Sequence, residues 1–445
     1  MKYFGTDGFR GAVNEKLTVD HAIKIGKFLG YYFGKQKKDT VKCCIGKDTR
    51  RSGYMFEYAL VAGLTATGVE VALLHVTTTP SVSYITKTDD FDFGIMITAS
   101  HNPFSDNGIK IIDSEGYKMS EDVLAECERY IDDEFAIELN KNEEIGRAYD
   151  YIQGRNKYVG YLSNIPTHSF RGYKVGLDCS NGASFMIAKT VFEMLGAKTY
   201  VIGDNPNGFN INRDCGSTHI DYLQNYVKEN NLDLGFAFDG DADRCIAVDE
   251  NGDIVDGDMI IYIYGSYLKE KGALVKDTVV TTIMSNLGLT KALNEKGITN
   301  IQTSVGDKYV SAKIAEGGYS VGGEQSGHVI FNKYATTGDG ILTAILLMDV
   351  VIEKKTTLSA LYKDVKLYPQ TLINVKVKDM DASLANPSLK ALLYDIEQEM
   401  GDRGRIVLRK SGTEPLIRIM VEGETEEMSR GNTERIRDMI LANEG

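Results

Sequence analysis

The sequence has no apolar run long enough to cross a membrane. Its most apolar stretch, TAILLMDVVI, is short and contains Asp349, whereas a spanning helix needs about 20 apolar residues. The opening residues, MKYFGTDGFRG, reach glycine and aspartate before the apolar centre of a signal peptide could form. We therefore expect a cytoplasmic protein with neither a signal peptide nor a membrane span.

Cysteine is scarce, and its spacing argues against two kinds of site. No CxxC pair occurs, and two of the six cysteines are adjacent, which is a poor arrangement for joining distant segments. This usage suits a reducing compartment better than a disulfide framework or a zinc site. The six are Cys43, Cys44, Cys127, Cys179, Cys215 and Cys245.

Positive charge is also in short supply. The chain has 50 lysines and arginines against 63 aspartates and glutamates, a formal net charge of -13. An acidic field repels nucleic acid and anionic membranes, which argues against both as partners. If the ligand is itself an anion, basic residues must gather locally. The 445 residues, 42% of them hydrophobic, are enough for two to four domains with separate cores.

The order of apolar runs predicts three α/β domains followed by a different one. Three times, β-branched runs alternate with helical patterns, and the third run of each set ends in a polar loop: FGIMITASHNP, LGFAFDGDADR and YSVGGEQSGH. Near-continuous apolar strands between amphipathic helices indicate mixed sheets covered on both faces, and hence three-layer α/β domains. From about residue 371 the pattern indicates a smaller α+β domain. The predicted domains, which we call the first to fourth units, surround a central cleft and cover residues 1–155, 156–256, 257–370 and 371–445.

The polar loop of the second unit is a candidate metal site, because ligands collect beyond the carboxyl ends of strands in open α/β sheets. Asp239, Asp241 and Asp243 follow the run LGFAF directly. Three carboxylates at alternate positions repel one another unless a cation neutralises them, and their hard oxygens select magnesium or calcium. The alternative is a solvated acidic turn. We favour Mg²⁺, because three monodentate carboxylates leave coordination positions for a phosphate oxygen and water.

A calcium-binding EF-hand loop is another interpretation of this segment. The three aspartates and Glu250 have its ligand spacing. Arg244, however, stands where the sharp turn of that loop needs glycine, and the flanking residues are typical of strands joined by an Asn-Gly hairpin at 251–252. We therefore reject the EF-hand.

Two further loops have the chemistry of a sugar phosphate site. Glu324 can accept hydrogen bonds from sugar hydroxyls, and Ser326 can both accept and donate. The segment RKSGTEPLIR supplies guanidinium groups, hydroxyls and backbone amides that together suit a phosphate dianion. Taken singly, each loop is more often a turn or a basic strand on the solvent face. The predicted phosphate-binding residues are Arg409, Ser411, Gly412, Thr413 and Arg418.

Ser100 follows the third apolar run of the first unit, in ITASHNPFSDNGIK. A serine hydroxyl is a poor nucleophile unless it is activated, and the sequence indicates no Ser-His-Asp arrangement. Because neighbours in sequence point apart, we expect His101 to shape the loop rather than to activate Ser100. A loop rich in asparagine and glycine then runs to Lys110. A hydroxyl, a metal site, a phosphate site and a sugar site together indicate phosphoryl transfer, which depends on positioning and charge neutralisation.

Four motifs identify the chain as a member of the α-D-phosphohexomutase superfamily. TASHNP, DGDADR, GGEQSGH and RKSGTEPLIR resemble its four signature loops and occur in the expected order over all four units. Within it, GTDGFRG, the glutamine of GGEQSGH, TTGDG at 336–340 and RKSGTEP are more similar to the phosphoglucosamine mutase branch than to the phosphomannomutase/phosphoglucomutase branch. The resemblance implies an isomerase that interconverts glucosamine 6-phosphate and glucosamine 1-phosphate and feeds amino-sugar nucleotide synthesis.

The resemblance also implies roles for individual residues. Ser100 is a phosphoserine, and one of its phosphate oxygens joins the three aspartates around Mg²⁺. The phosphoryl group passes to the sugar, giving a hexosamine 1,6-bisphosphate that turns round before its other phosphate returns to Ser100. Arg10, from GTDGFRG, and Lys110 approach the phosphoserine, and a homodimer is the implied assembly. Lys110 is either the general acid/base, with a pKa depressed by neighbouring cations, or a group that only neutralises phosphate charge.

The same resemblance explains how an acidic chain would bind an anion, since seven cations converge on one cleft. Two positions depart from the family pattern. Ala242 stands where glycine is common, which restricts the backbone without removing a ligand. Lys308 stands where arginine is common, and a lysine lacks the bidentate phosphate contact of arginine. The converging cations are Arg10, Lys110, Arg244, Lys308, Arg409, Lys410 and Arg418.

Three other functions stay open at this point. A phosphomannomutase/phosphoglucomutase would prefer a neutral hexose phosphate. An aspartyl-phosphate hydrolase, suggested by a strand followed by DxD, would use Asp239 as its covalent residue. A catalytically silent binding module would bind the sugar phosphate without turnover.

Overall fold

The structure is a computed structural model that describes residues 1–37, 39–410 and 416–442. Among these residues, no helix is both long and apolar enough to span a bilayer. The apolar stretch TAILLMDVVI lies in the helix Gly340–Lys354, which is buried along most of its length. The apolar composition of this stretch is therefore explained by a core helix.

The first unit is built on a seven-stranded mixed sheet. Its elements are β1 (Phe4–Gly5), β2 (Gly8–Ala12), α1 (Val19–Gln36), β3 (Lys42–Lys47), α2 (Ser52–Thr65), β4 (Glu70–Val76), α3 (Thr79–Thr88), β5 (Phe93–Ile97), β6 (Asp106–Asp113), α4 (Glu121–Ile131) and β7 (Ala148–Asp150). The strand order is β1-β2-β6-β5-β3-β4-β7. Alternate residues of β3 pack on opposite faces, Cys43 among residues of α1 and α2 and Cys44 among residues of α3. Helices therefore cover both faces of this sheet.

Lys110 lies in β6, not in the loop that the sequence predicted to end there. β6 runs antiparallel to both β5 and β2. β6 lacks the continuous apolar run by which the parallel strands were predicted, because it carries polar residues at both of its ends. As a result, Arg10 on β2 and Lys110 on β6 belong to neighbouring strands of one sheet.

The second unit has a five-stranded sheet in the order β12-β11-β10-β8-β9. Its elements are α5 (Ile152–Ser163), β8 (Lys174–Asp178), α6 (Ile187–Met194), β9 (Lys198–Ile202), α7 (Asp221–Glu229), β10 (Leu234–Phe238), β11 (Cys245–Val248) and β12 (Ile254–Val255). β8 is parallel to β9 and β10, whereas β11 is antiparallel to β10 and β12. β11 and β12 pair on either side of Gly252, which adopts a φ of 81°, so this segment forms the predicted hairpin and not the second helix of an EF-hand.

The third unit repeats this plan with four strands in the order β14-β13-β15-β16. Its elements are α8 (Gly257–Glu270), β13 (Thr278–Thr282), α9 (Leu287–Glu295), β14 (Thr299–Thr303), α10 (Asp307–Gly317), β15 (Val321–Gly323), β16 (Val329–Phe331), α11 (Gly340–Lys354) and α12 (Leu358–Tyr362). One contiguous apolar core joins the second and third units, with Phe236 and Phe192 from one and Tyr262 and Phe331 from the other.

The fourth unit has an antiparallel sheet in the order β17-β19-β18 and an apolar core of its own. Its elements are β17 (Gln370–Lys376), α13 (Met380–Ala385), α14 (Pro387–Met400), β18 (Gly404–Lys410), β19 (Leu416–Gly423) and α15 (Glu426–Ala442). Three mixed α/β sheets followed by a smaller α+β unit are the predicted fold class, which is confirmed.

Candidate active site

Ser100 follows β5, with its side chain buried and its backbone in the left-handed region at a φ of 50°. Its Oγ donates a hydrogen bond to Asp239 Oδ2 at 2.5 Å. Nδ1 of His101 lies 3.3 Å from the same Oγ, so the two neighbouring side chains meet although we expected them to point apart. Burial, followed by the charges of Arg244 and Arg10, lowers the pKa of His101 to about 4. The imidazole is therefore neutral near pH 7.

The three aspartates of the loop after β10 come together. Oxygens of Asp239, Asp241 and Asp243 lie within 4.8 Å of one another, and all three side chains are buried. Asp241 Oδ1 and Asp243 Oδ1 accept no hydrogen bond, which is costly for buried carboxylates unless a cation lies beside them. Burial and then the charges of the other two aspartates raise the pKa of Asp239 well above its usual range. This set of oxygens fits a hard divalent cation.

Lys110 contacts the same carboxylates from the first unit. Its Nζ donates to Asp241 Oδ2 at 2.6 Å and to Asp243 Oδ2 at 3.0 Å. Lys110 thus uses the Oδ2 atoms and leaves both Oδ1 atoms for a cation. Burial lowers its pKa, but Asp241 and Asp243 outweigh that effect and the pKa is raised. The expected depression by neighbouring cations is therefore wrong, because the Arg10 charge lowers this pKa by less than the carboxylates raise it.

Arg10 and Arg244 place further positive charge at this cluster. A guanidinium nitrogen of Arg10 lies 3.7 Å from Asp7. The backbone N–H of Arg244 donates to Asp239 Oδ1 at 3.2 Å, and its guanidinium Nε lies 3.9 Å from Asp243 Oδ1. The Nε of each arginine is buried without a hydrogen-bond partner. Both groups can therefore donate to an anionic ligand.

A cavity of about 290 Å³ opens beside Lys110, between the first and third units. Lys118 crosses between these units, because its Nζ donates to Asp7 Oδ1 at 2.9 Å and to Asp307 Oδ2 at 2.5 Å. His328 also lines the cavity. It is 3% exposed, and neither ring nitrogen has a hydrogen-bond partner. The sequence indicated neither Lys118 nor His328 as a site residue, although His328 ends the quoted motif GGEQSGH.

The predicted sugar-binding loop, residues 322–328, lies beside the aspartate loop. Its Gly327 carbonyl accepts a hydrogen bond from the Cys245 N–H at 3.0 Å. Glu324 Oε1 accepts from the Gly306 N–H at 3.0 Å, and burial raises the pKa of Glu324. Ser326 is exposed.

Lys308 also lines the cavity, but its ammonium already has a partner. Its Nζ donates to Glu121 Oε1 at 2.7 Å, so it reaches across to the first unit. An anionic ligand would have to compete with Glu121 for this lysine.

In the fourth unit, Arg409 on β18 and Arg418 on β19 lie directly opposite each other. Burial and then the charge of Arg418 lower the pKa of Arg409, and Arg418 Nε is buried without a hydrogen-bond partner. Two adjacent guanidinium groups favour an anion between them. Lys410 instead pairs with Asp381. The other predicted phosphate-binding residues lie outside the described residues: Ser411, Gly412 and Thr413.

The sequence also failed to indicate the groups that hold the Ser100 loop. Arg50 is fully buried and donates to the carbonyls of Ser100 and Asn102 at 2.9 and 2.8 Å. Asn212, from the second unit, donates to the same two carbonyls at 2.8 and 3.1 Å. Arg50 could have been suspected, because it lies in the polar loop DTRR between β3 and α2. Asn212 gave no comparable signal.

Sequence models of one family match all four units. The phosphoglucomutase/phosphomannomutase alpha/beta/alpha domains I, II and III match residues 1–138, 150–252 and 256–368, and the C-terminal domain matches residues 372–440. The chain belongs to the phosphoglucomutase/phosphomannomutase family. The predicted superfamily and its mutase class of enzyme are thereby confirmed.

Relatives of this family member are similar over their whole length. The phosphoglucosamine mutase of Lachnospira eligens is 57% identical over 432 residues, 96% of each chain. That of Bacillus subtilis is 48% identical over 445 residues, 100% of this chain and 99% of the relative.

Two solved structures share this fold. A phosphoglucomutase/phosphomannomutase family protein from Burkholderia thailandensis has a TM-score of 0.81 at 22% identity, covering 99% of this chain and 97% of its own. The N-acetylphosphoglucosamine mutase of Aspergillus fumigatus, solved with GlcNAc-6P and magnesium, has a TM-score of 0.69 at 16% identity. The match covers 100% of this chain and 96% of the Aspergillus chain.

Proposed function

We propose that the protein is a phosphoglucosamine mutase, which interconverts glucosamine 6-phosphate and glucosamine 1-phosphate through a phosphoserine at Ser100. The observation that carries the proposal is the 2.5 Å contact between Ser100 Oγ and Asp239, within a buried group of three aspartates. A phosphoryl group on that hydroxyl would lie where charge can be neutralised. The full-length relatives named above support glucosamine phosphate as the substrate.

The residues around Ser100 would act by neutralising the charge of the phosphoryl group and by fixing its position. Mg²⁺, bound by Asp239, Asp241 and Asp243, would supply electrostatic stabilisation of the phosphoryl group. In the first transfer the bond between phosphorus and Ser100 Oγ breaks, a bond to a sugar hydroxyl oxygen forms, and the proton that this hydroxyl loses ends on Ser100 Oγ. In the second transfer the other phosphate returns to Ser100. Lys110 and Arg10 would neutralise the charge on the non-bridging oxygens.

The bisphosphate intermediate must turn round between the two transfers, so the site has to accept the sugar in both orientations. We assign the sugar hydroxyls to Glu324 and Ser326, and we assign the phosphate that is not reacting to the fourth unit. The proposed phosphate-binding residues are Arg409, Ser411, Gly412, Thr413 and Arg418, with Arg244, Lys308 and His101 flanking the reacting group.

Several finer points belong to the same proposal. They are a hexosamine 1,6-bisphosphate as activator, Mg²⁺ as the metal, a homodimer as the assembly, a cytoplasmic location and the absence of nucleic-acid and membrane partners. The three boundaries between the units, after residues 155, 256 and 370, also stay predictions.

Product analysis tests the proposal. The protein is incubated with glucosamine 6-phosphate, Mg²⁺ and a trace of labelled hexose bisphosphate, and we expect glucosamine 1-phosphate together with acid-stable label on Ser100. The S100A variant should give neither, whereas S105A, at an exposed serine of the same loop, should match the wild type.

The competing functions predict different outcomes of that experiment. A higher kcat/KM for mannose or glucose phosphate would move the protein to the phosphomannomutase/phosphoglucomutase branch. Acid-labile label on Asp239 would indicate an aspartyl-phosphate hydrolase. Binding without turnover by the wild type would indicate a silent binding module.

Lys110 offers a separate test of its two possible roles. Its contacts with two carboxylates support charge neutralisation rather than proton transfer. We therefore expect K110R to keep the pH dependence of kcat and to lose no more than about tenfold in rate. A pH-rate profile measures this. A displaced limb of that profile would assign Lys110 as the general acid/base.

A further inference from the structure

Two donors from different units meet on the carbonyl oxygen of Ser100. Arg50 Nη2, from the first unit, lies 2.9 Å from it, and Asn212 Nδ2, from the second unit, lies 2.8 Å from it. A carbonyl oxygen has two lone pairs, so this one is fully occupied. The same two donors also contact the Asn102 carbonyl. Two carbonyls of the loop are therefore fixed from both sides.

The conformation of Ser100 needs such support. Its φ of 50° lies in the left-handed region, which is unfavourable for a residue with a Cβ. Backbone of this kind persists where surrounding contacts determine it. The bonds to its carbonyl are such contacts, and they set the direction in which Oγ points.

Asn212 is itself fixed to the sheet that carries the aspartates. Its backbone N–H donates to the Ser180 carbonyl at 2.8 Å, just beyond β8, and β8 pairs in parallel with β10. Gly240, next to Asp239, packs against both the Ser100 carbonyl and the Asn212 amide. A Cβ built at Gly240 would lie 2.5 Å from the Ser100 carbonyl oxygen and 3.1 Å from Asn212 Nδ2.

We propose that Asn212 is a positioning residue for phosphoryl transfer. Its amide would hold the Ser100 loop in a fixed position relative to the second unit and so keep Ser100 Oγ within reach of Asp239. Arg50 holds the loop from within the first unit, whereas Asn212 holds it from the sheet that bears the aspartates. The inference rests on the proposed function, because it gives Asn212 a part in that reaction.

Two variants test the role of the amide. N212A removes the side chain, and N212D keeps its shape but removes both donor hydrogens. We expect kcat to fall by about 10-fold to 100-fold in each, because a displacement near 1 Å is enough for such a loss. KM for glucosamine 6-phosphate should stay within about threefold, because the proposed contacts of the sugar hydroxyls and of the phosphate that is not reacting lie in the third and fourth units.

Two further measurements separate positioning from a loss of folding. The rate at which labelled bisphosphate phosphorylates Ser100 should fall with kcat, and the ³¹P resonance of the phosphoserine should shift relative to the wild type. N210A is the matched control. Asn210 lies in the same segment but hydrogen-bonds to Asn205 and Asn207 instead of the Ser100 loop, so its kcat should match the wild type.

The possible outcomes distinguish this inference from the proposed function. Wild-type label on Ser100, with kcat in the Asn212 variants within twofold of the wild type, overturns the positioning role alone. Equal losses in N210A and N212D also overturn it, because the segment and not the amide would then matter. If the wild type does not phosphorylate Ser100, the proposed function fails and this inference fails with it.

Discussion

Asp258 is a buried acidic residue of the third unit, outside the aspartate loop. It lies in the first turn of α8 and is fully buried. The Asn286 N–H donates to its Oδ2 at 2.7 Å, while its Oδ1 has no hydrogen-bond partner. Burial, followed by the charge of Asp256, raises the pKa of Asp258 from 3.8 to about 8. The neutral acid is therefore the form that the fold prefers.

This pKa predicts a loss of stability as the pH rises. In the unfolded chain Asp258 ionises near its usual pKa, so the folded protein binds the extra proton between about pH 4 and about pH 8. The stabilisation is complete below that window and is lost as the pH rises through it. D258N should flatten this dependence and be the more stable protein at the alkaline end. Urea denaturation over a pH series measures the effect.

The control for Asp258 is D122N, at an exposed position on α4, which should leave the pH dependence as in the wild type. If D258N and the wild type lost stability in parallel across the window, the assignment of the effect to Asp258 would be wrong.

At the residue scale, the sequence indicated Ser100 and the three aspartates, which the structure brings together, but not the groups that support them. Ser100 and the three aspartates follow strand ends, where loop chemistry is readable from the sequence alone. Arg50 and Asn212 were not predicted, because their partners are backbone carbonyls. Every residue has a backbone carbonyl, so the sequence does not show which one a side chain binds. Lys110 was placed among cations, but the contacts that decide its pKa are with carboxylates of another unit. Such contacts depend on how the units pack.

Helices α1 and α2 approach each other through a pair of buried glycines. A Cβ built at Gly63 would lie 2.3 Å from the Ile23 carbonyl oxygen, and one built at Gly26 would lie 2.6 Å from the Leu60 carbonyl oxygen. Both obstacles are backbone atoms, which cannot rotate away. The two helices can therefore pack this closely only while both positions lack a side chain.

G63A should destabilise the protein by about 1–3 kcal/mol, because the added methyl group forces the helices apart. G34A, in the same helix as Gly26, is the matched control. Nothing lies within 4 Å of a Cβ at Gly34, so alanine there should stabilise α1 by about 0.5–1 kcal/mol. Denaturant unfolding measures both, and equal effects of the two substitutions would contradict the packing argument.

At the element scale, most parallel strands of the first three units were predicted from their apolar continuity. The exposed strand β7, which pairs in parallel with β4, was not predicted. The pattern missed β1 and β2, because a strand of two residues and one rich in glycine give no such run. α6 begins at Ile187, several residues after β8 ends at Asp178. Ser180 and Asn181, just upstream, have left-handed backbone, which an apolar period does not reveal.

The whole molecule keeps its thiols out of solvent. All six cysteines are free and buried. Burial raises the pKa of Cys44 to about 12, with a smaller opposing effect from the Thr86 hydroxyl, and a thiol reacts through its thiolate. Ellman's reagent should therefore titrate less than one thiol per chain in the native protein and all six after denaturation. Rapid reaction of native thiols would show that the fold opens around them.

The apolar core shared by the second and third units determines how the protein unfolds. Cutting the protein between these two units would expose Phe236 and Phe331 to water together with the side chains that pack between them, so neither half should survive as a folded fragment. The fourth unit keeps Leu389, Ile396 and Ile419 in a core of its own. It is the part that heat or a protease would be expected to release first, while the middle of the molecule melts as one body.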